Sequence, residues 1–216
     1  MKQDLTRIAV ILDRSGSMAS VVDATISGFN EFVLSQKLEP GQAKLKLVQF
    51  DDQYEEVFDK LLSDVPMLDH ETFVPRGWTA LHDAIGRTVQ VLDNELKRMP
   101  EAERPAKVLV LILTDGEENR STEFTREQIA DMVKEQQEKC SWNFVFLGAN
   151  QDAVLTASGF NIPHDSSLTY NSNAAALRNM MGSASRYTSA YRSGRRVGFR
   201  PAERKSSKTP DPPKRD

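Results

Sequence analysis

Five oxygen-bearing side chains are spaced along this chain so that they could converge on one divalent cation. Asp13-Arg14-Ser15-Gly16-Ser17 follows an apolar run ending at Leu12, Thr79 precedes an amphipathic stretch, and Asp115-Gly116 follows the apolar run Lys107–Leu113. Two carboxylates (Asp13, Asp115) and three hydroxyls (Ser15, Ser17, Thr79), with no histidine or thiol among them, form a hard donor set. It suits Mg²⁺, Mn²⁺ or Ca²⁺ and suits zinc poorly. With neutral hydroxyls as most of its direct donors, a bound ion would keep positive charge and open positions. It would then attract an external anion.

Each segment alone has a plainer reading. Asp13 and Ser15 are good helix caps, and Asp115-Gly116 is a good turn. The metal reading depends on the three segments meeting, as the carboxyl ends of strands do in an open parallel sheet. An aspartate after a strand is also where haloacid-dehalogenase-like phosphatases carry their nucleophile, in an Asp-x-Asp pattern. Here Ser15 stands at the second position, so the proton-transfer carboxylate is missing. A metal-dependent phosphoesterase or hydrolase using Asp13 is therefore the alternative, not the leading reading. No Gly-x-Ser-x-Gly elbow, Walker A loop or Gly-x-Gly-x-x-G follows the first apolar run. The histidines are His70, His82 and His164. Only His82 lies near a candidate ligand, and a solvated or capping role is expected of it.

The elements that must position these groups alternate between short β-rich runs and amphipathic stretches, which predicts a mostly parallel sheet covered by helices. A first strand is expected over Arg7–Leu12. A helix follows, its buried stripe running through Val22, Ile26, Phe29, Val33 and Leu34, and Pro40-Gly41 stops it. Lys44–Phe50 and Tyr54–Phe58 flank the short Asp51-Asp52-Gln53 connection and predict an antiparallel edge hairpin. Ala80–Met99 reads as a helix buried through Leu81, Ile85, Val89 and Leu92. Lys107–Leu113 is apolar at nearly every position, as a strand buried on both faces must be. Thr125 and Gln128 form a capping box for a helix over Glu127–Lys139, Trp142–Leu147 is another strand, and Ala174–Tyr191 is a last helix.

Composition agrees with a soluble globular body: 39% hydrophobic and 27% charged residues. Ile8–Leu12 and Val108–Leu113, the longest apolar runs, are too short to span a bilayer. The first residues carry no apolar leader, and a single cysteine, Cys140, allows no intramolecular disulfide, so a cytoplasmic setting is expected. Cys140, Trp142 and Phe144 read as packing residues, and Glu55-Glu56 and Glu117-Glu118 as solvated charges. The net charge of −3 is uneven. From Arg186 onward ten Lys/Arg face three acids, a net of +7, which leaves −10 on residues 1–185. An acidic body repels phosphate backbones, so nucleic acid is not an expected partner except through that basic segment. Residues 193–216 lack apolar periodicity and read as a disordered tail after a domain over 1–192.

The three motifs, in this order and on these elements, resemble the metal-ion-dependent adhesion site of von Willebrand factor A domains. The resemblance covers roughly residues 5 to 190. It implies a doubly wound, open, mostly parallel α/β sheet of Rossmann-like form, with one antiparallel edge strand and helices on both faces. It further implies that Ser15, Ser17 and Thr79 hold the metal directly, and that Asp13 and Asp115 act directly or through water. The function implied is metal-dependent binding of a protein partner that supplies an Asp or Glu carboxylate, such as an ATPase or an assembly component. Trp78 departs from the pattern, standing where the family often has a second glycine, and could form an aromatic rim.

Overall fold

The computed structural model describes residues 1–149 and 153–210. Six strands form one sheet in the order β3-β2-β1-β4-β5-β6. They are β1 (Lys2–Asp13), β2 (Gln42–Phe50), β3 (Tyr54–Leu61), β4 (Pro105–Thr114), β5 (Asn143–Ala149) and β6 (Ser167–Tyr170). All neighbouring pairs are parallel except β2–β3, the edge hairpin the short polar connection predicts. The helices are α1 (Val22–Lys37), α2 (Leu81–Arg98), α3 (Arg126–Cys140), α4 (Ala153–Ser158), α5 (Ala174–Arg192) and α6 (Pro201–Ser206).

Strand alternation divides the core in two. Ile8, Val10 and Leu12 of β1, with Leu109, Leu111 and Leu113 of β4, pack with Phe29 and Phe32 of α1 and Leu177 and Met180 of α5. Ala9 and Ile11, with Val110 and Ile112, pack on the other face with Ile85 and Val89 of α2 and Ile129 and Val133 of α3. Both central strands are covered on both sides, which is why their sequences run apolar without a gap.

The parallel register sets the site. Leu12 of β1 pairs with Leu113 of β4, so the next residues, Asp13 and Thr114, emerge side by side at the carboxyl edge of the sheet. The connection after β1 begins as a 3-10 turn over Gly16–Val21 before α1 starts. The expected stripe of α1 holds at Val22, Ile26, Phe29 and Val33, which face the core. Leu34 is exposed, while Phe32 and Val33 are buried.

Three elements carry no signal in the sequence, α4, β6 and α6. Each is short, at six, four and six residues, and none shows enough periods to be recognised. Cys140 is exposed at the end of α3, so the expectation that it packs does not hold; Trp142 and Phe144 are buried as expected.

The expectation of a disordered segment from 193 is also overturned, as far as residue 210. Phe199 is buried against Tyr187, with ring centroids 5.1 Å apart. Glu203 of α6 pairs with Arg186, whose Nη2 also donates to Gly198 O at 2.9 Å. Arg204 donates to Ser167 O at 2.9 Å and Ser207 Oγ to Thr169 O at 2.7 Å, which covers carbonyls along β6, an edge strand. A single aromatic anchor surrounded by polar side-chain bonds leaves no apolar repeat in the sequence. The remainder of that expectation, 211–216, lies outside the described residues.

Candidate metal centre

Asp13 is fully buried at the end of β1, and both its oxygens are committed. Oδ1 accepts from the Ser15 backbone N–H at 2.7 Å, and Oδ2 accepts from the Thr114 hydroxyl at 2.5 Å. Burial raises its pKa to about 6 against these hydrogen bonds from Thr114 and Ser15. Asp115, one residue beyond β4, accepts from Ser17 Oγ at 2.5 Å through Oδ1 and from Ser172 Oγ at 3.3 Å through Oδ2. Burial raises its pKa as well. Among the described residues neither carboxylate has an ion pair with a Lys, Arg or His. A buried and a half-buried carboxylate without a cation are an unfavourable arrangement that a bound metal would relieve.

The hydroxyls face the same place. Ser15 Oγ and Ser17 Oγ lie 3.0 Å apart. A Cβ on Gly116 would sit 2.8 Å from Thr79 Oγ1, 3.4 Å from Ser17 Oγ and 3.5 Å from Ser15 Oγ. All three hydroxyls therefore converge on the small space left by the absent Gly116 side chain. The five residues singled out from the sequence are brought together, and their chemistry fits a hard divalent cation. No group of three or more His, Cys, Asp or Glu able to hold a metal occurs among the described residues. A metal-centre reading of the chain thus rests on this hydroxyl-rich set.

Neighbouring loops hold Thr79 in place from both sides. Its N–H donates to Asn119 Oδ1 at 2.9 Å, and its carbonyl accepts from Asn119 N at 3.0 Å. Ahead of it, Arg76 N donates to Arg14 O, Gly16 N to Gly77 O and Ala80 N to Asp51 O. Gly77 has a φ of +69°, and a Cβ there would meet Asp52 Oδ1 at 2.4 Å. Glycine is the residue that fits both demands.

Arg14 points away from the hydroxyls. Its guanidinium reaches Asp51 Oδ2 at 3.2 Å and Glu55 Oε2 at 2.8 Å, and Arg76 Nε binds the same Asp51 oxygen at 2.7 Å. Glu55 is therefore an ion-pair member, not the free solvated charge expected. Its hydrogen bond to Arg14, only partly opposed by burial and reinforced by Arg76, lowers its pKa to about 2. Glu118 also departs from expectation. It accepts from the N–H groups of His82, Arg120 and Ser121, stapling its loop to the start of α2. Asp83 does the same with the N–H groups of Thr122, Glu123 and Phe124. The His82 ring packs edge-on against Phe160, with centroids 5.5 Å apart, and is largely covered rather than solvated. Trp78 is 62% exposed beside Thr79, placed to be the rim that its bulk suggested.

Thr114 and Ser172 are the contributors that sequence reasoning did not assign. Thr114 was visible as part of the third motif but gave no hint of its bond to Asp13. Ser172 follows β6, and without that strand nothing placed it near Asp115.

The profile of the von Willebrand factor type A domain family matches residues 8–182. No curated protein matches the sequence. Among solved structures, the mussel byssus proximal thread matrix protein 1 with a zinc-occupied MIDAS motif is 16% identical with a TM-score of 0.58, over 85% of this chain and 46% of that one. A von Willebrand factor type A protein from Catenulispora acidiphila is 13% identical with a TM-score of 0.56, over 87% and 43%. The SpaC pilus adhesin from Lactobacillus rhamnosus GG, in an open conformation, is 12% identical with a TM-score of 0.64, over 88% and 31%. These likenesses are of fold, and the chain spans less than half the length of each.

Proposed function

This chain belongs to the von Willebrand factor type A domain family, and on that premise we propose that it is a divalent-metal-dependent protein-binding module. The cation would be held by Asp13, Ser15, Ser17, Thr79 and Asp115. The observation that carries this reading is the convergence of three hydroxyls over Gly116, beside the buried Asp13 and the half-buried Asp115, neither of which has a cationic partner among the described residues. A mussel relative of the same fold has a zinc-occupied MIDAS motif, which supports a metal at this position in the fold. The hard oxygen set of this chain favours Mg²⁺ or Mn²⁺.

Bound there, the cation supplies an electrophilic point for an Asp or Glu carboxylate of the partner. The residues of this chain do the rest. Thr114 and the Ser15 N–H engage both Asp13 oxygens, which favours a role for Asp13 in orienting the site rather than in neutralising the ion. Neutral hydroxyls then dominate the contact, and the site keeps attraction for an anion in a half-desolvated setting. The same engagement of Asp13 argues against its use as a nucleophile, so binding is preferred over phosphoester hydrolysis. The exposed Trp78 ring beside Thr79 offers the partner an apolar anchor. An ATPase or an assembly component remains the kind of partner the family resemblance suggests, in a cytoplasmic setting.

Water-proton relaxation of the Mn²⁺-loaded protein tests the carboxylate step without a known partner. Bound Mn²⁺ with open positions should enhance relaxation, and added acetate should lower the enhancement saturably by displacing water. Acetate without effect on an enhanced signal would exclude a carboxylate-accepting position.

A further inference from the structure

Between α1 and α5 lies a groove of about 560 Å³ that shares no residue with the metal centre. Its floor is made of small groups. Gly28 and Gly182 line it, with Ser35 and Ser185, whose hydroxyls lie 2.8 Å apart. Gly28 is needed for helix packing, because a Cβ there would press on Met181 Cγ at 2.8 Å. Gly182 is different: a Cβ there would meet nothing within 4 Å, so the groove is open above it.

One wall is the segment 195–200, which brings Arg195, Arg196 and Arg200 to the groove, all exposed. The fold has other arginines for its own needs. Arg192 is buried and donates to the carbonyls of Gln36 and Gly41, closing the C-terminal end of α1. Arg186 is committed to Glu203 and Gly198. Of the three wall residues, only Arg195 has a guanidinium bond among the described residues, from Nε to Ser193 Oγ at 2.9 Å. Two carboxylates also line the groove, Glu31 and Glu39. Three guanidiniums not committed to a carboxylate therefore share the groove with two acids, which leaves an excess of positive charge. Holding like charges together without structural use costs stability, and a multiply charged anion would remove that cost.

We infer that this groove binds a compact phosphate-bearing anion. Planar guanidinium forks match phosphate oxygens bidentately, and three of them outnumber the two carboxylates present. The volume falls within the roughly 300–1,000 Å³ typical of small-ligand sites. Glu31 and Glu39 at the groove disfavour a continuous nucleic-acid backbone running through it. The basic C-terminal segment is thus the wall of a small-anion site.

Pyrophosphate is the probe, titrated calorimetrically into the full chain in EDTA so that no divalent cation contributes. Saturable binding to the parent is expected, unchanged in Asp13→Ala, which separates this site from the metal centre. Arg196→Gln combined with Arg200→Gln should weaken it at least about tenfold, since hydrogen bonds between charged groups are lost. Gly182→Leu keeps every charge, places its side chain where the floor is open, and should also weaken binding at least about tenfold. No saturable binding would overturn the inference, as would arginine variants that bind like the parent. Binding unaffected by Gly182→Leu would overturn it too, by showing diffuse surface attraction. A single-stranded oligonucleotide that binds and is not displaced by pyrophosphate would reassign the surface to nucleic acid.

Discussion

Thr114 donates its hydroxyl to Asp13 Oδ2 at 2.5 Å, joining the ends of the two central strands through their side chains. The bond fixes one oxygen of a carboxylate that burial would otherwise drive toward protonation. Thr114→Val keeps the shape and removes the donor. It should cost about 1–3 kcal/mol, because a buried acceptor loses its partner. Metal affinity should fall by about 10- to 100-fold, the usual effect of removing a ligand's supporting bond. Chemical denaturation and Mn²⁺ titration of the same variant check both numbers.

Gly116→Ala should separate folding from metal binding. The added methyl would lie 2.8 Å from Thr79 Oγ1, inside the space on which the hydroxyls converge. Far-UV circular dichroism should match the parent, while calorimetric Mn²⁺ binding should disappear. Parent-like affinity in this variant would place the cation elsewhere.

Asp59 gives the chain an acid limit away from the metal centre. Burial alone would raise its pKa, but the hydrogen bond and charge of Arg7, with Lys46 and Lys44, outweigh it and hold the carboxyl at about 2. A folded value below the unfolded one means that Asp59 contributes fully above about pH 4 and loses its contribution as pH falls toward 2. The amount is about 2 kcal/mol, the carboxylate being largely buried. Asp59→Asn should be less stable near pH 7 and should show a flatter stability loss between pH 4 and pH 2. Denaturant midpoints across that range measure the slope.

The C-terminal segment should be structural. Phe199→Ala removes a buried ring packed at a tilt against Tyr187 and should cost about 3 kcal/mol. Deleting residues 194–216 should lower the thermal midpoint further, since the bonds from Arg204 and Ser207 to β6 are lost with it. A truncated chain melting like the parent would contradict this.

The sheet was legible because its central strands must be apolar on both faces, and the hairpin because a three-residue polar connection separates two alternating runs. The convergence of Asp13, Ser15, Ser17, Thr79 and Asp115 was legible for a related reason. Each lies just past a strand end or just before a helix, and parallel strands deliver such positions to one edge. What the sequence concealed has no period. Ser172 depends on a four-residue strand, and α6 is held by side-chain bonds to carbonyls and one phenylalanine. Glu55, Glu118 and Asp83 look like ordinary surface acids, because their partners are arginines or backbone N–H groups distant in sequence. Leu34 shows the converse: it adjoins the buried stripe in sequence, yet Phe32, on the stripe's other side, is the residue that turns inward.

Isothermal titration of Mn²⁺ into the parent, Asp13→Ala, Ser15→Ala and Thr79→Ala tests the central claim most directly. A core buried on both faces of six strands should stand without the ion, so each variant can be shown to be folded by its thermal transition before titration. The account predicts one Mn²⁺ per chain for the parent, and affinity reduced at least about tenfold in every variant. A parent that binds no Mn²⁺, or folded variants that bind it as the parent does, would contradict it.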